Sequence, residues 1–552
     1  MNILVLFPLL FFLCTIFAGY WYKLVSAIVP APYLDEVFHL RQAQAYCDGK
    51  LSQWDPKITT PPGLYVLSIP LRWVGDGCTV YNLRAVNMGL LGAVGIVAHW
   101  ILELRRANGT TPRNSLTQAL NDAHSAFNIT LFPLLFFFSG LYYTDIASTL
   151  LVLSFYWCYM AESSKAKLFS PSQIAWALCS LTIRQTNIFW VAVFPAGLTV
   201  ISTLQHSPAG ARRRDSESLM QLSSRVLKQA WTEGSVYDPP IIEATLEDYL
   251  LTTASIIVAT LRNLRRVVPA LLQYGFILGI FACFVLWNGG VVLGDKSNHV
   301  ATIHLPQMLY IWPYFVFFSF PLMLPSALRL ALHLLSRAPG LSPRSKEAKT
   351  NLPRLCIFAA FSAIAALVIR VNTIVHPFTL ADNRHYMFYV FRILLRNGFT
   401  KYGAAPTYVL CAYLSINALG GSEASEIPRK EEKCVKKGQD IAKQTATRSD
   451  GSCNASFVIV WLASTALSLV TAPLVEPRYF IIPWVVWRLH VPAYRFAATS
   501  GRNPTHALQE HDHRLWLETL WFFAINAATG YMFLYRGFSW PQEPGNIQRF
   551  MW

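Results

Sequence analysis

Apolar stretches long enough to cross a bilayer recur from one end of this 552-residue chain to the other. About 20 residues suffice for a crossing. In hydrocarbon every backbone polar group must find its partner within the chain, which leaves helices or a closed barrel. A barrel would show short segments of alternating polarity, whereas these runs are continuous. Only 14% of the residues are charged, against about 25% in a soluble protein. The sequence therefore predicts an all-α polytopic membrane protein, most of it one membrane domain. Spans are expected to begin near Ile3, Asn82, Phe127, Asp145, Ser172, Ile188, Pro269, Met308, Cys356, Pro406, Phe457, Tyr479 and Leu515, about 12 to 14 crossings by length. Met1 to Tyr22 lacks a basic start and a small-x-small cleavage site and reads as an uncleaved first span.

The net charge of +16 bears on topology rather than on nucleic acid, because Lys and Arg favour cytosolic loops. Arg105, Arg106 and Arg113 share one connection, and Lys165 and Lys167 another. Arg212 to Arg214 lie in a polar insertion over 205–266, and Arg337, Arg344, Lys346, Lys349 and Arg354 fill the next connection. Counting spans puts all four on one side, the cytosolic one. The 421–453 segment, with seven basic residues between Arg429 and Arg448, is assigned there as a disordered insertion. Between Tyr386 and Gly420 a bent helix with an interfacial portion keeps the count consistent. The sequons at Asn108, Asn128 and Asn454 read as chance occurrences.

The loops of the other face carry few cations, and these sit beside His, Asp, Glu and aromatics. The first, over 30–78, holds Pro32-Tyr33-Leu34-Asp35-Glu36-Val37-Phe38-His39 and Gln53-Trp54-Asp55-Pro56. Charges at a membrane edge are costly, which points to an enzyme or a transporter. Adjacent carboxylates repel, and burial would raise one pKa toward a general base. Asp35 is the candidate base, with Glu36 tuning it or binding a sugar hydroxyl. An ion pair with Arg41, or a helix N-terminal charge, is the structural alternative. Cys47 and Cys78 flank this loop and are able to pair if it is lumenal.

Further patches are Gly294 to His299, His376 to Tyr386 and Glu476 to Phe480. Lys296, Arg384, His385 and Arg478 are candidates to neutralise a lipid-linked phosphate, which Arg grips best with its planar fork. Structural ties of Lys296 to Asp295, Arg384 to Asp382 and Arg478 to Glu476 compete with that reading. Arg184 interrupts an apolar stretch, as a turn between spans or as a phosphate contact. His39, Trp54, Asp55, His299, Asp382 and Asn383 are the candidate sugar and acceptor contacts. His511-Asp512-His513 reads as a solvated interfacial patch. The chain carries no phosphate-binding glycine loop, Asp-x-Asp pair or Cys/His metal spacing, so neither metal nor cofactor is expected. A transporter would show internal repeats and broken midplane helices; no repeat is evident.

On these residues the chain resembles the dolichyl-phosphate-glucose-dependent α-1,2-glucosyltransferase family of the endoplasmic reticulum. The stretches that carry the resemblance are 32–39, 53–63, Arg184-Gln185-Thr186-Asn187, Gly294-Asp295-Lys296-Ser297, His376-Pro377, 381–386, 476–480 and the ending Arg549-Phe550-Met551-Trp552. The resemblance implies a GT-C helical bundle in that membrane, with lumenal active-site loops. It also implies a dolichyl-phosphate-glucose donor, a dolichyl-diphosphate oligosaccharide acceptor bearing two glucoses, and an inverting displacement with Asp35 as base. A transferase acting on another lipid-phosphate sugar is the alternative.

Overall fold

The computed structural model describes residues 3–107, 116–162, 168–204, 217–296, 302–336, 355–421, 452–472, 474–494 and 511–552. It is a helical bundle. Helix Ile3–Ile28 packs on Val80–Ala107 and Leu116–Leu131, and Val80–Ala107 packs in turn on Asp145–Glu162. On the other side Gln307–Ser336 contacts Gly398–Ala418 and His513–Tyr535. Among the described residues five helical stretches are long and apolar enough to cross a membrane alone: Val80–Ala107, Gln185–Leu204, Leu264–Asn288, Gln307–Leu332 and Leu355–Asn372.

Most helix starts fall close to the expected ones. The largest departure is Leu116–Leu131, which begins well before Phe127. Its first turns carry Asn121 and His124, polar side chains buried against His513–Tyr535, and hydropathy alone reads such turns as loop. Chain breaks inside the bundle are compensated. The helix before Pro133 ends at Leu131, and Asn526 Nδ2 donates to the freed Leu131 carbonyl at 2.8 Å. Pro321 cannot donate to Phe317 O, and Trp521 Nε1 does so instead at 2.7 Å. Phe132 stacks on Trp484 with centroids 3.8 Å apart. The indoles of Trp461, Trp484 and Trp487 are fully buried, each N–H donating to an oxygen.

The described part of the 205–266 insertion is folded. Helices Leu219–Thr232 and Leu246–Arg262 pack together. The loop between them docks through Asp238, which accepts from Ser456 N–H, Ser456 Oγ and Asn454 Nδ2. The sequon asparagine Asn128 is buried and donates to Leu515 O and Glu518. Asn108 and 422–451 lie outside the described residues. The His511-Asp512-His513 expectation needs correction: Asp512 is fully buried, accepts from Arg514 and the Tyr494 N–H, and fixes the helix start rather than facing water. After the 386–394 amphipathic helix, Gly398–Ala418 runs as one long helix. A hairpin of Phe538–Trp540 and Glu543–Gln548 follows His513–Tyr535, antiparallel, with Phe538 opposite Gln548.

Candidate active site

Helix Ile3–Ile28 ends just before Pro30-Ala31-Pro32, and helix Glu36–Cys47 starts directly after Asp35. This short linker brings Asp35 to the wall of a cavity of about 950 Å³. Asp35, Asp382, Arg384, His385, Glu476 and Arg478 supply most of its charge, and Val29, Phe388, Trp540 and Trp552 are among its apolar lining.

The two adjacent carboxylates point different ways. Asp35 keeps 56% of its side chain accessible, and it opens onto the cavity. Glu36 is fully buried, with Oε1 accepting from Arg84 Nε and Tyr142 N–H and Oε2 from Arg84 Nη2 and Tyr33 N–H. Arg84, also fully buried, donates further to the Val29 and Ala31 carbonyls. The expected sugar-binding role of Glu36 is therefore corrected: its lone pairs are used inside the protein, and its partner is Arg84, not Arg41.

Arg478 sits at the centre of the charge network. Its Nη2 lies 2.8 Å from Glu476 Oε2 and 3.3 Å from Asp35 Oδ2. Its guanidinium carbon lies 5.6 and 5.3 Å from the ring centres of Phe138 and Tyr143. Asp145 Oδ2 is 4.0 Å from Arg478, and Asp145 Oδ1 pairs with Arg184 at 2.9 Å. Arg184 also donates to Thr144 Oγ1 and does not line the cavity. Enclosure by protein pushes the Asp35 carboxyl up, but Arg478, His39 and His385 outweigh it and hold the group below the usual carboxylate range.

Across the cavity Asp382 takes a two-pronged grip from Arg384, at 2.8 Å from Nε and 2.8 Å from Nη2. Arg384 also donates to Gln548 Oε1 at 3.0 Å and lies over the Trp540 ring. His385 places Nδ1 3.1 Å from Trp552 O and Nε2 3.8 Å from Asp382. Asn383 is half-buried and not on the cavity wall.

Several candidates lie away from the cavity. His39 hydrogen-bonds Tyr65 OH through Nδ1 at 2.7 Å. Trp54 packs on Tyr65, and Asp55 accepts the Lys57 N–H within its own turn. These residues build the loop that supports Asp35 and do not reach the cavity. Cys47 and Cys78 in the same loop are disulfide-bonded. Lys296 is exposed, donates to the Asn288 carbonyl and does not line this cavity. Its loop docks on the first one: Leu293 and Asp295 N–H groups donate to Thr59 and Pro56 carbonyls. Gly294 sits between them at φ +62, where a Cβ would fall 2.3 Å from Pro56 O. His299 lies outside the described residues. The residues unanticipated from sequence are Asp145, Arg84, Trp540 and Gln548. A lone aspartate opening an apolar helix was the available signal for Asp145.

Burial depresses the His39 pKa to about 4, against an opposing pull from Asp35. An unfolded histidine titrates near ~6.5. Between those values the unfolded chain binds a proton that the folded one excludes, so stability falls as pH drops through that window. The unfolding temperature in detergent is expected to fall between pH 7 and 5 in the parent and less steeply in His39→Gln. Equal slopes would remove His39 as a cause.

Fold and site define a polytopic α-helical membrane protein whose inter-helix loops gather acidic and basic side chains around one cavity. Residues 29–489 match the DIE2/ALG10 family, and the chain belongs to that family. Relatives in Aspergillus fumigatus (41% identical, covering 96% of each chain), Emericella nidulans (39%, 96% of each) and Mus musculus (31%, 98% of this chain and 96% of that one) share one name: Dol-P-Glc:Glc(2)Man(9)GlcNAc(2)-PP-Dol alpha-1,2-glucosyltransferase. The apo oligosaccharyltransferase of Archaeoglobus fulgidus superposes with a TM-score of 0.26 at 12% identity, over 94% of this chain and 64% of that one. That likeness is too slight to carry an inference.

Proposed function

We propose that the protein is an inverting glucosyltransferase of GT-C architecture. It moves glucose from dolichyl-phosphate-glucose to the 2-hydroxyl of the terminal glucose on a diglucosylated dolichyl-diphosphate oligosaccharide. The observation that carries this reading is an accessible carboxylate, Asp35, beside a shared cation, Arg478, in a cavity of about 950 Å³. That volume suits a small-ligand site. The names of the full-length relatives supply the substrates.

Asp35 takes the proton of the acceptor 2-hydroxyl as its oxygen attacks the anomeric carbon. The carbon–oxygen bond to phosphate breaks, and dolichyl phosphate leaves with the electron pair. Positive charge develops on the sugar ring as in glycoside hydrolysis. Arg478 on the Asp35 side, and Arg384 with His385 opposite, offset the charge growing on the leaving phosphate. Attack from the far face turns a β-linked donor into an α-product. The scheme invokes neither metal nor cofactor.

The proposed setting is the endoplasmic reticulum membrane, multi-pass, with the cavity facing the lumen. The Cys47–Cys78 disulfide supports that side, because lasting disulfides belong to oxidising compartments. The test is purified protein in liposomes with dolichyl-phosphate-glucose and acceptors bearing one or two glucoses. The expected product is one α-1,2-linked glucose, only on the diglucosylated acceptor. Transfer to the monoglucosylated acceptor instead, or none to either, would overturn the assignment.

A further inference from the structure

Among the described residues Leu34 is the non-glycine residue with positive φ, +53. A branched side chain is disfavoured in that left-handed region. It immediately precedes Asp35, so this turn decides where the carboxylate points. Following N–H groups close the turn, Glu36 to Tyr33 O at 3.2 Å and Val37 to Leu34 O at 3.0 Å. These contacts are local and do not explain why the strained turn persists.

The buried Glu36–Arg84 pair and Tyr143, whose hydroxyl donates to Tyr33 O at 3.3 Å, hold the linker from one side. The restraint from the far end of the chain comes through the Tyr33 hydroxyl, which donates to Arg549 O at 2.8 Å and accepts from Arg549 N–H at 2.7 Å. One phenol thus engages both main-chain groups of a single residue 516 positions away. Burial raises the phenol pKa to about 12, so the hydroxyl keeps the proton this double role needs. Arg549 is itself anchored, its Nη1 donating to Phe533 and Leu534 carbonyls at the end of helix His513–Tyr535. Two residues on, Met551 N–H donates to Arg384 O and Met551 O accepts from Tyr386 N–H. The same strap therefore touches the chain on both sides of His385.

We propose that Tyr33 is a positioning residue: its clasp on the Arg549 main chain holds the left-handed Leu34 turn and so keeps Asp35 aimed into the cavity. The proposal rests on the reading of Asp35 as base. It also makes the 538–552 segment a working part of the site, setting the base on one side and Arg384 and His385 on the other.

The test is Tyr33→Phe in the reconstituted transfer assay. The ring still packs on Phe533, 5.8 Å between centroids, so the unfolding temperature should move little. Turnover is expected to fall about 10- to 100-fold, the scale of misplacing a catalytic group by about 1 Å, with KM for donor and acceptor nearly unchanged. Adding Leu34→Gly to Tyr33→Phe should restore part of the turnover, because glycine enters positive φ without penalty. A purely structural role predicts no such rescue. Arg549→Ala, which keeps both main-chain groups but loosens their anchor, should show the same turnover loss. Parent protein that transfers glucose while Tyr33→Phe stays fully active refutes the clasp. So does a loss that Leu34→Gly cannot relieve, or full turnover in Arg549→Ala. Parent protein that transfers nothing refutes the functional reading instead.

Discussion

Asp35→Asn is expected to lower turnover by about 10²- to 10⁴-fold, the usual contribution of a general base, while the protein remains folded. The amide keeps the shape of the side chain but cannot accept the acceptor's proton. Folding should tolerate the change because Asp35 is half open to the cavity, and its loss leaves Arg478 paired with Glu476 at 2.8 Å. Single-turnover rates in liposomes, with an unfolding temperature in detergent beside them, check both halves. An Asn variant that turns over like the parent removes Asp35 from the chemistry. The acid limb provides a further check. Arg478 holds the Asp35 carboxyl below its ordinary range despite enclosure by protein. The base therefore stays ionised well below neutral pH, and loss of activity between pH 8 and 6 should not come from it.

The neighbouring position should behave in the opposite way. Glu36→Ala is expected to destabilise the protein by about 3–5 kcal/mol, the cost of orphaning a buried charge. The change deprives Arg84 of both carboxylate contacts at 2.7 Å and leaves the N–H groups of Tyr33 and Tyr142 without that acceptor. The expected readout is a large drop in unfolding temperature and a poor yield of folded protein. Arg84→Ala should fail similarly, since the buried Glu36 carboxylate would then be unpaired. A Glu36→Ala protein as stable as the parent but inactive would return Glu36 to the chemistry. The pair of variants thus separates a carboxylate that acts from one that holds, a split set by environment alone.

That split was not legible in the sequence. Asp-Glu at the start of a helix identifies two charges at a membrane edge but not their directions, and successive helical side chains point about 100° apart. The partner that decides the matter, Arg84, lies in the next long helix. The helices were legible because continuous apolar runs leave few other folds in a bilayer. The exception, Leu116–Leu131, opens with side chains whose polarity is answered by another helix. The alternative pairings of Arg384 with Asp382 and Arg478 with Glu476, visible from their spacing, do occur. They leave those cations on the cavity wall, whereas Lys296 belongs to a loop that braces the first one. Asp145 was hidden because its partners, Arg184 and Arg478, come from distant segments.

The contact between Asp35 and Arg478 joins positions 443 residues apart. A nascent or misassembled chain that has inserted only its early helices carries the acid without its cation. Contacts of such range are made late, after the intervening loops have closed. If the proposed chemistry holds, competence is a property of the assembled bundle alone, and half-built chains stay chemically silent.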